Sequence, residues 1–230
     1  MNLENSFSDR PFYVAVEPKK DLNAQSKNAP YTLLTEELFL TLQEGERVLH
    51  TFVCSPCQLP EMCLGWLLSE GYICSLEDVE SLRISENGVC ARVKFCGNSP
   101  CQRAIAPVET GPEATQEWLR QAAELLVSEE RVYSKTHGTH GCVLSEQAGA
   151  VVVCEDIGRY NAMDKAIGTA LLQGIDLRKS LLFSSGRIPV GLVKKTVRCG
   201  IPILASKATA TRQAVEAAEA YRLQIYYCYQ

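Results

Sequence analysis

Three short segments of this 230-residue chain set a cation beside glycine or another small residue: Glu155-Asp156-Ile157-Gly158-Arg159, Ser184-Ser185-Gly186-Arg187 and Ser206-Lys207-Ala208-Thr209. A guanidinium or ammonium next to backbone N–H groups suits phosphate or another anion, because arginine offers a planar fork of donors and a helix start offers unpaired ones. Taken singly, each Gly-Arg turn reads more readily as a tight turn with a solvated arginine. Three such turns in one chain favour a polyanionic small molecule.

Each segment follows an apolar run, residues 151–154, 181–183 and 203–205, and precedes a stretch of helical character. Strands alternating with helices predict parallel βαβ units with right-handed crossovers. All three turns then emerge at the carboxyl ends of one sheet, where open α/β sheets bind ligands, with helices predicted to start at Gly158 and Gly186.

The first half reads differently. Residues 37–42 and 47–53 form a hairpin about Glu44-Gly45, and residues 82–85 and 89–95 form another across Asn87-Gly88, a strong turn dipeptide. Between them residues 60–72 read as a packed helix with Pro60 in its first turn, and residues 117–130 as a helix capped by Thr115. Pro107 to Pro112 is the candidate boundary. The expected architecture is α/β (α+β overall), with an antiparallel domain over residues 1–110 and an α/β domain over residues 111–230. The terminal segment 223–229 is expected as a strand at the sheet margin.

A net charge of −4 and a pI near 5.5 argue against general nucleic-acid binding. Positive charge gathers locally at Arg187, Lys194, Lys195, Arg198, Lys207 and Arg212. No run reaches the 18 or so apolar residues of a membrane span, and the N-terminus lacks the pattern of a signal peptide, so a cytoplasmic location is expected. In that setting eleven cysteines are expected to stay reduced, serving packing, metal or sulfur chemistry.

The segment Glu155-Asp156-Ile157-Gly158-Arg159-Tyr160-Asn161-Ala162-Met163-Asp164-Lys165 resembles a family pattern, E-D-V-G-R-H-N-A-x-D-K, with Tyr160 in place of the histidine. Ser184 to Arg187 together with Leu192-Val193-Lys194-Lys195 is similar to S-S-G-R…x-V-Q-K, and Thr136 through His140 to T-G-x-x-H. The family is that of the formate dehydrogenase accessory proteins, the FdhD-type sulfurtransferases, and the resemblance runs from about Thr32 onward. It implies a cytoplasmic homodimer whose larger domain has a cytidine-deaminase-like α/β/α fold. It also implies transfer of persulfide sulfur from a cysteine desulfurase to the molybdenum bis(molybdopterin guanine dinucleotide) that formate dehydrogenase or a related molybdoenzyme needs.

The guanine nucleotide and pterin phosphates of that molecule would supply the polyanion, and a free guanine nucleotide would be its analogue. Around it the resemblance and the turns together place His140, Asp156, Gly158, Arg159, Asn161, Ser185, Gly186, Arg187 and Lys207. The family's C-terminal tail, which helps to hold the cofactor, is matched only at its beginning by Tyr227, Cys228, Tyr229 and Gln230.

Sulfur transfer needs a thiolate that attacks the donor persulfide and then carries the terminal sulfur. Cys96-Gly97-Asn98-Ser99-Pro100-Cys101 is the most loop-like cysteine segment, and Cys96-Gly97 best matches the first Cys-Gly of the family's C-G-x-C-G. Cys96 is therefore expected as the persulfide carrier and Cys101 as its partner, although four residues separate the two here. A reading of another class makes the chain a non-catalytic protein that delivers the cofactor or chaperones the apoenzyme.

Cys54-Ser55-Pro56-Cys57 could join Cys96 and Cys101 in a four-thiolate zinc or iron–sulfur site, but one tight knuckle with a loosely spaced second pair favours packing, and no metal is expected. Cys63, Cys74, Cys90, Cys154 and Cys199 read as small core residues, with Cys142 an outside candidate beside His140. Asp164 and Lys165 read as helix-surface charges. His137 reads as a loop histidine, whereas His140 suits a pocket, its ordinary pKa being about 6.5. Zinc-dependent deamination uses an H-x-E and P-C-x-x-C pair that the chain lacks.

Overall fold

The computed structural model describes residues 1–16, 32–97, 104–109, 111–147 and 149–229. The first half contains β1 (Asn2–Asn5), β2 (Tyr13–Val16), β3 (Thr32–Thr35), β4 (Leu38–Glu44), β5 (Arg47–Cys54), α1 (Leu59–Ser69), β6 (Val79–Ile84) and β7 (Cys90–Phe95). Both expected hairpins are present, β4 with β5 and β6 with β7. They join in a five-stranded sheet of order β1-β6-β7-β4-β5, and β2 and β3 pair separately. Alternation along β4 buries Leu38, Leu40 and Leu42 while Phe39 stays exposed, the period of a sheet with one covered face.

The second half runs α2 (Gln116–Glu129), α3 (Tyr133–Thr136), β8 (His140–Glu146), β9 (Val151–Asp156), α4 (Arg159–Gln173), β10 (Ser180–Ser184), α5 (Val190–Arg198), β11 (Ile203–Ser206), α6 (Arg212–Ala220) and β12 (Gln224–Tyr226). Thr115 caps α2 through its side-chain oxygen, which accepts from the Trp118 N–H. The sheet order is β12-β11-β10-β8-β9, with β12 at the margin as expected. It is mixed rather than all parallel: β8 lies antiparallel between β9 and β10, so the β9–α4–β10 crossover steps over it. Because two reversals cancel, β9, β10 and β11 still point the same way, and their three turns share one edge.

Both faces of this sheet are covered. Val143, Leu181, Phe183, Ile203 and Ala205 pack with Trp118, Leu119, Ala122 and Leu126 of α2. The alternate residues Cys142, Leu144, Leu182 and Leu204 belong to the main core with Ala162, Met163, Ala166 and Ile167 of α4. Near-continuous apolar runs on β10 and β11 follow from that double burial.

The two halves meet where α1 crosses α4. A Cβ added to Gly65 would lie 1.8 Å from the Asp164 carbonyl oxygen, and one added to Gly168 would lie 1.8 Å from the Glu61 carbonyl oxygen. Glycine at both positions lets the two backbones touch. Helix α1 is buried all round except near Glu61, which explains why its sequence lacks a polar face.

That crossing corrects two expectations. Asp164 and Lys165 are buried, at 1% and 0% exposure, instead of lying on the helix surface. Asp164 Oδ2 is 2.9 Å from Lys195 Nζ, which also reaches Glu70 Oε1 at 3.1 Å and donates to Ser69 Oγ at 2.8 Å. Lys195 therefore ties α5 to α1 and α4 and adds nothing to a basic surface. Cys74 is also corrected: it is exposed and disulfide-bonded, so it is neither a core residue nor a reduced thiol.

Candidate functional site

The carboxyl edge of the second sheet holds a cleft of about 280 Å³ lined by Tyr133, His137, Gly138, Thr139, His140, Ile157, Ser185 and Lys207. Its back wall is set by short hydrogen bonds between neighbouring strands. Ser185 Oγ accepts from the Gly141 N–H at 2.9 Å and lies 3.3 Å from His140 Nδ1, while the Ser185 N–H donates to the Gly141 carbonyl at 2.9 Å. Gly186 leaves room between two cationic or basic groups: a Cβ there would be 3.2 Å from Arg159 Cδ and 3.2 Å from His140 Nδ1.

The three turns are held together as a unit. Ser206 Oγ donates to the Gly186 carbonyl at 2.8 Å, and a parallel bridge joins Ile188 to Ala210. Of the three turns, the first runs directly into its helix, with Gly158 as the N-cap of α4 and no side-chain cap on it. Helix α5 starts at Val190 and α6 at Arg212, so Gly186 and Lys207 precede their helices by several residues. The expected helix start at Gly186 is corrected accordingly. Pro189 serves as the N-cap of α5 and disfavours helical geometry at Ile188 before it.

Asp156 lies beneath the first turn and is fully buried. Its carboxylate accepts from the N–H groups of Ser55 and Gly158 and from Asn161 Nδ2, each at 2.9 Å, and pairs with Lys165 Nζ at 2.7 Å. Asn161 Nδ2 also donates to the Val53 carbonyl at 2.7 Å. Both residues therefore shape the turn from inside. Glu155 does the same for the opposite wall, accepting from the Val132 and Tyr133 N–H groups and from Thr139 Oγ1. Sequence reasoning missed Glu155, Thr139 and Tyr133 as parts of the site, because a carboxylate that accepts from backbone amides leaves no spacing signature.

Electrostatically the cleft is basic. Arg159 lies over the Tyr160 ring at 5.6 Å, and its buried Nε has no hydrogen-bond partner among the described residues. Burial, then Arg159, with Lys207 as a smaller contributor, holds His140 below the usual imidazole value against the opposing pull of Asp156. An unpaired buried donor beside a neutral histidine and a lysine fits an anion with several oxygens. Arg187 is exposed and outside the cleft lining.

The C-terminal segment returns to the same turns. The Cys228 N–H donates to the Ala208 carbonyl at 3.0 Å, the Tyr229 N–H to the Ser206 carbonyl at 3.1 Å, and Tyr229 Oη to the Gln116 carbonyl at 3.0 Å. Lys207 is thus flanked by Cys228 and Tyr229, while Tyr227 is 46% exposed. Gln230 lies outside the described residues.

Cys96 stands elsewhere. It is an exposed free thiol just past β7, followed by Gly97 in the left-handed region at φ +82° with open space around it. Cys101 lies outside the described residues. The registers Phe39↔Val53 and Glu44↔Val93 put Cys96 about eight strand residues from Val53, whose carbonyl meets Asn161, or on the order of 25 Å along the sheet. Cys96 and the Val53–Asn161 contact consequently lie at opposite ends of the first sheet.

The remaining thiols form a contrast. Burial pushes Cys54 and Cys57 up to about 12 and Cys154 up to about 11, and lifts Cys63 and Cys142 well above the usual thiol value. Cys57 Sγ sits 3.4 Å from Lys165 Nζ, which offsets its burial only in part. Among the described residues no group of three or more His, Cys, Asp or Glu is arranged to hold a metal ion. No described helix is long and apolar enough to cross a membrane.

The chain is similar to several known proteins. Sulfur carrier protein FdhD of Methanothermobacter thermautotrophicus is 31% identical over 73% of this chain and 74% of its own length, and that of Mycolicibacterium paratuberculosis is 30% identical over 83% and 84%. A solved protein from Desulfotalea psychrophila, described as a formate dehydrogenase accessory protein, superposes with a TM-score of 0.79 at 21% identity, covering 96% of this chain and 94% of that one. Residues 88–227, which include every turn of the cleft, match the model of the FdhD/NarQ family. With that family model matching more than half of its residues and relatives at 30–31% identity over most of its length, this chain belongs to the FdhD/NarQ family.

Proposed function

We propose that this protein is a sulfur carrier of the sulfurtransferase type. In this reading Cys96 receives persulfide sulfur from a cysteine desulfurase, and the sulfur passes to the molybdenum bis(molybdopterin guanine dinucleotide) used by formate dehydrogenase or a related molybdoenzyme. The observation that carries it is the exposure of Cys96: among the described residues, Cys96 and Cys228 alone are free, exposed thiols, while Cys54, Cys57, Cys63, Cys142 and Cys154 are buried and hard to ionise. The names of the relatives support the carrier role.

The loading step balances without an external oxidant. The Cys96 thiolate attacks the terminal sulfur of the donor persulfide, the donor S–S bond breaks, a new one forms on Cys96, and the donor cysteine leaves as thiolate. The cleft would hold a guanine nucleotide portion of the cofactor, with Arg159, Lys207, His140 and Ser185 facing its phosphates. The separation of Cys96 from the cleft lets sulfur donor and cofactor engage different faces. A mixed sheet with a single reversed strand supports the cytidine-deaminase-like reading of residues 111–230, and β12 at its margin supports a homodimer that covers the edge. Light scattering at micromolar concentration should give twice 25.4 kDa.

The decisive experiment mixes the protein with a desulfurase and free cysteine and maps added sulfur by mass spectrometry after non-reducing digestion. One sulfur atom on Cys96, lost in Cys96→Ala and reduced in Cys101→Ala, is the expected result. Sulfur on Cys54, Cys57 or Cys142 rejects the assignment. Sulfur on no cysteine favours instead a protein that delivers the cofactor or chaperones the apoenzyme without carrying sulfur.

A further inference from the structure

One acidic side chain beside the cleft has no part in the reading above. Glu130, at the C-cap of α2, is only 4% exposed. Its Oε2 lies 3.4 Å from Lys207 Nζ, and its Oε1 is buried without a hydrogen-bond partner among the described residues. A buried carboxylate with one long contact is under-compensated for the water it has lost. The same ammonium lines the cleft and sits 5.5 Å from the Tyr133 ring centre. Lys207 therefore stands between a carboxylate on the inside and whatever anion enters from outside.

We propose that Glu130 is an internal competitor for Lys207, a positioning residue that holds the ammonium against the cleft wall and releases it to a polyanion while taking up a proton. The proposal rests on the cleft being an anion site. In the free protein the two charges offset each other. When a phosphate oxygen draws Nζ outward, Glu130 is left as a buried anion near Glu155, a second carboxylate. A proton from solvent then adds to a Glu130 oxygen; one O–H bond forms and no electrons change hands.

The groups facing Glu130 allow this. Lys207 comes from the turn after β11 and Glu155 from β9, while β8 presents bare backbone, since a Cβ on Gly141 would lie 2.6 Å from Glu130 Oε1. On its own stretch of chain, Arg131 is exposed and paired with Glu129 at 3.0 Å. Burial keeps Glu130 above the usual carboxylate value even with Lys207 in place. His140, held low in the same cleft by burial and by Arg159, can also gain a proton when an anion binds. The test must separate the two.

Inorganic pyrophosphate and GDP are titrated calorimetrically into the full chain at pH 7, in buffers of different ionisation enthalpy, to count protons taken up. The expected result is uptake in the wild type that falls in Glu130→Gln and persists in part in His140→Asn. Glu130→Gln should also bind pyrophosphate about tenfold more tightly at pH 8, within the usual range of coupling between sites. Lys207→Met, which leaves Glu130 in place but without its partner in either state, should lose the same share of uptake, and it covers the case in which Glu130→Gln fails to fold. Uptake unchanged in both Glu130→Gln and Lys207→Met, or lost entirely in His140→Asn, overturns the proposal while leaving the anion site standing. If neither pyrophosphate nor GDP binds the wild type, the anion-site reading falls and this inference with it.

Discussion

Lys165 Nζ and Asp156 Oδ2 meet at 2.7 Å with both side chains fully buried, joining the second turn of α4 to the loop that starts it. Breaking a buried pair from one side leaves an uncompensated charge, at a cost of about 3–5 kcal/mol. Asp156→Asn is expected to lose stability in that range and to loosen the Ile157–Gly158 wall of the cleft. Lys165→Met should cost less, because Asp156 keeps its three N–H donors. Urea unfolding of the two variants checks the order, and equal losses would contradict it.

The α1–α4 crossing makes a second prediction. Alanine is favoured over glycine inside a helix by about 1 kcal/mol, so propensity alone says that Gly65→Ala stabilises. The Asp164 carbonyl, 1.8 Å from the added Cβ, says the opposite. Backbone cannot rotate away as a side chain can, and overpacking costs typically about 1–3 kcal/mol or more. Gly65→Ala should therefore destabilise by at least about 3 kcal/mol, read from thermal or urea melts.

Two arginines that look alike in sequence should behave differently. Arg159 is half-buried beside Gly186 and His140 with an unpaired Nε, whereas Arg187 is exposed. Arg159→Ala is expected to weaken GDP binding by about 1.5–3 kcal/mol, the range of a charge-assisted hydrogen bond. Arg187→Ala should weaken it less, since a solvated guanidinium gives up hydration to make its contact. Calorimetric affinities showing the reverse order would move the phosphates toward Arg187.

His140 contributes a pH dependence whose sign is determined. The unfolded chain titrates near 6.5, and the folded value is lower because of burial and the nearby cations. Below about 6.5 the unfolded state therefore binds more protons, so this residue subtracts stability as the pH falls. Burial and Lys195 act on His50 in the same sense. Raised carboxylates at Glu61, Glu130 and Asp164 act oppositely, so the reading is a difference between variants. Between pH 7.5 and 5.5, His140→Asn should lose less Tm than the wild type, and an equal loss would show that His140 titrates normally.

The local elements, and the sheet edge on which chemistry gathers, are legible along the chain. Asn87-Gly88 places a hairpin, Thr115 caps a helix, and the apolar runs before Glu155, Ser184 and Ser206 are strands, because turn geometry, capping and periodicity act over a few residues. His140, Ser185 and Lys207 line one cleft, with Gly186 and Arg159 packed against His140, as the three turns imply. Whatever depends on distant partners is visible only in the folded molecule. Reversed β8 between β9 and β10 carries no mark in its own residues. Asp164 and Lys165 look like surface charges until α1 covers them and Lys195 and Asp156 pair with them. The same holds for the distance from Cys96 to the cleft, which follows from strand registers, and for Glu130, whose meaning comes from a lysine 77 positions later in the chain. Burial and long-range pairing set the energy of a charge, and neither is written in its neighbours along the sequence.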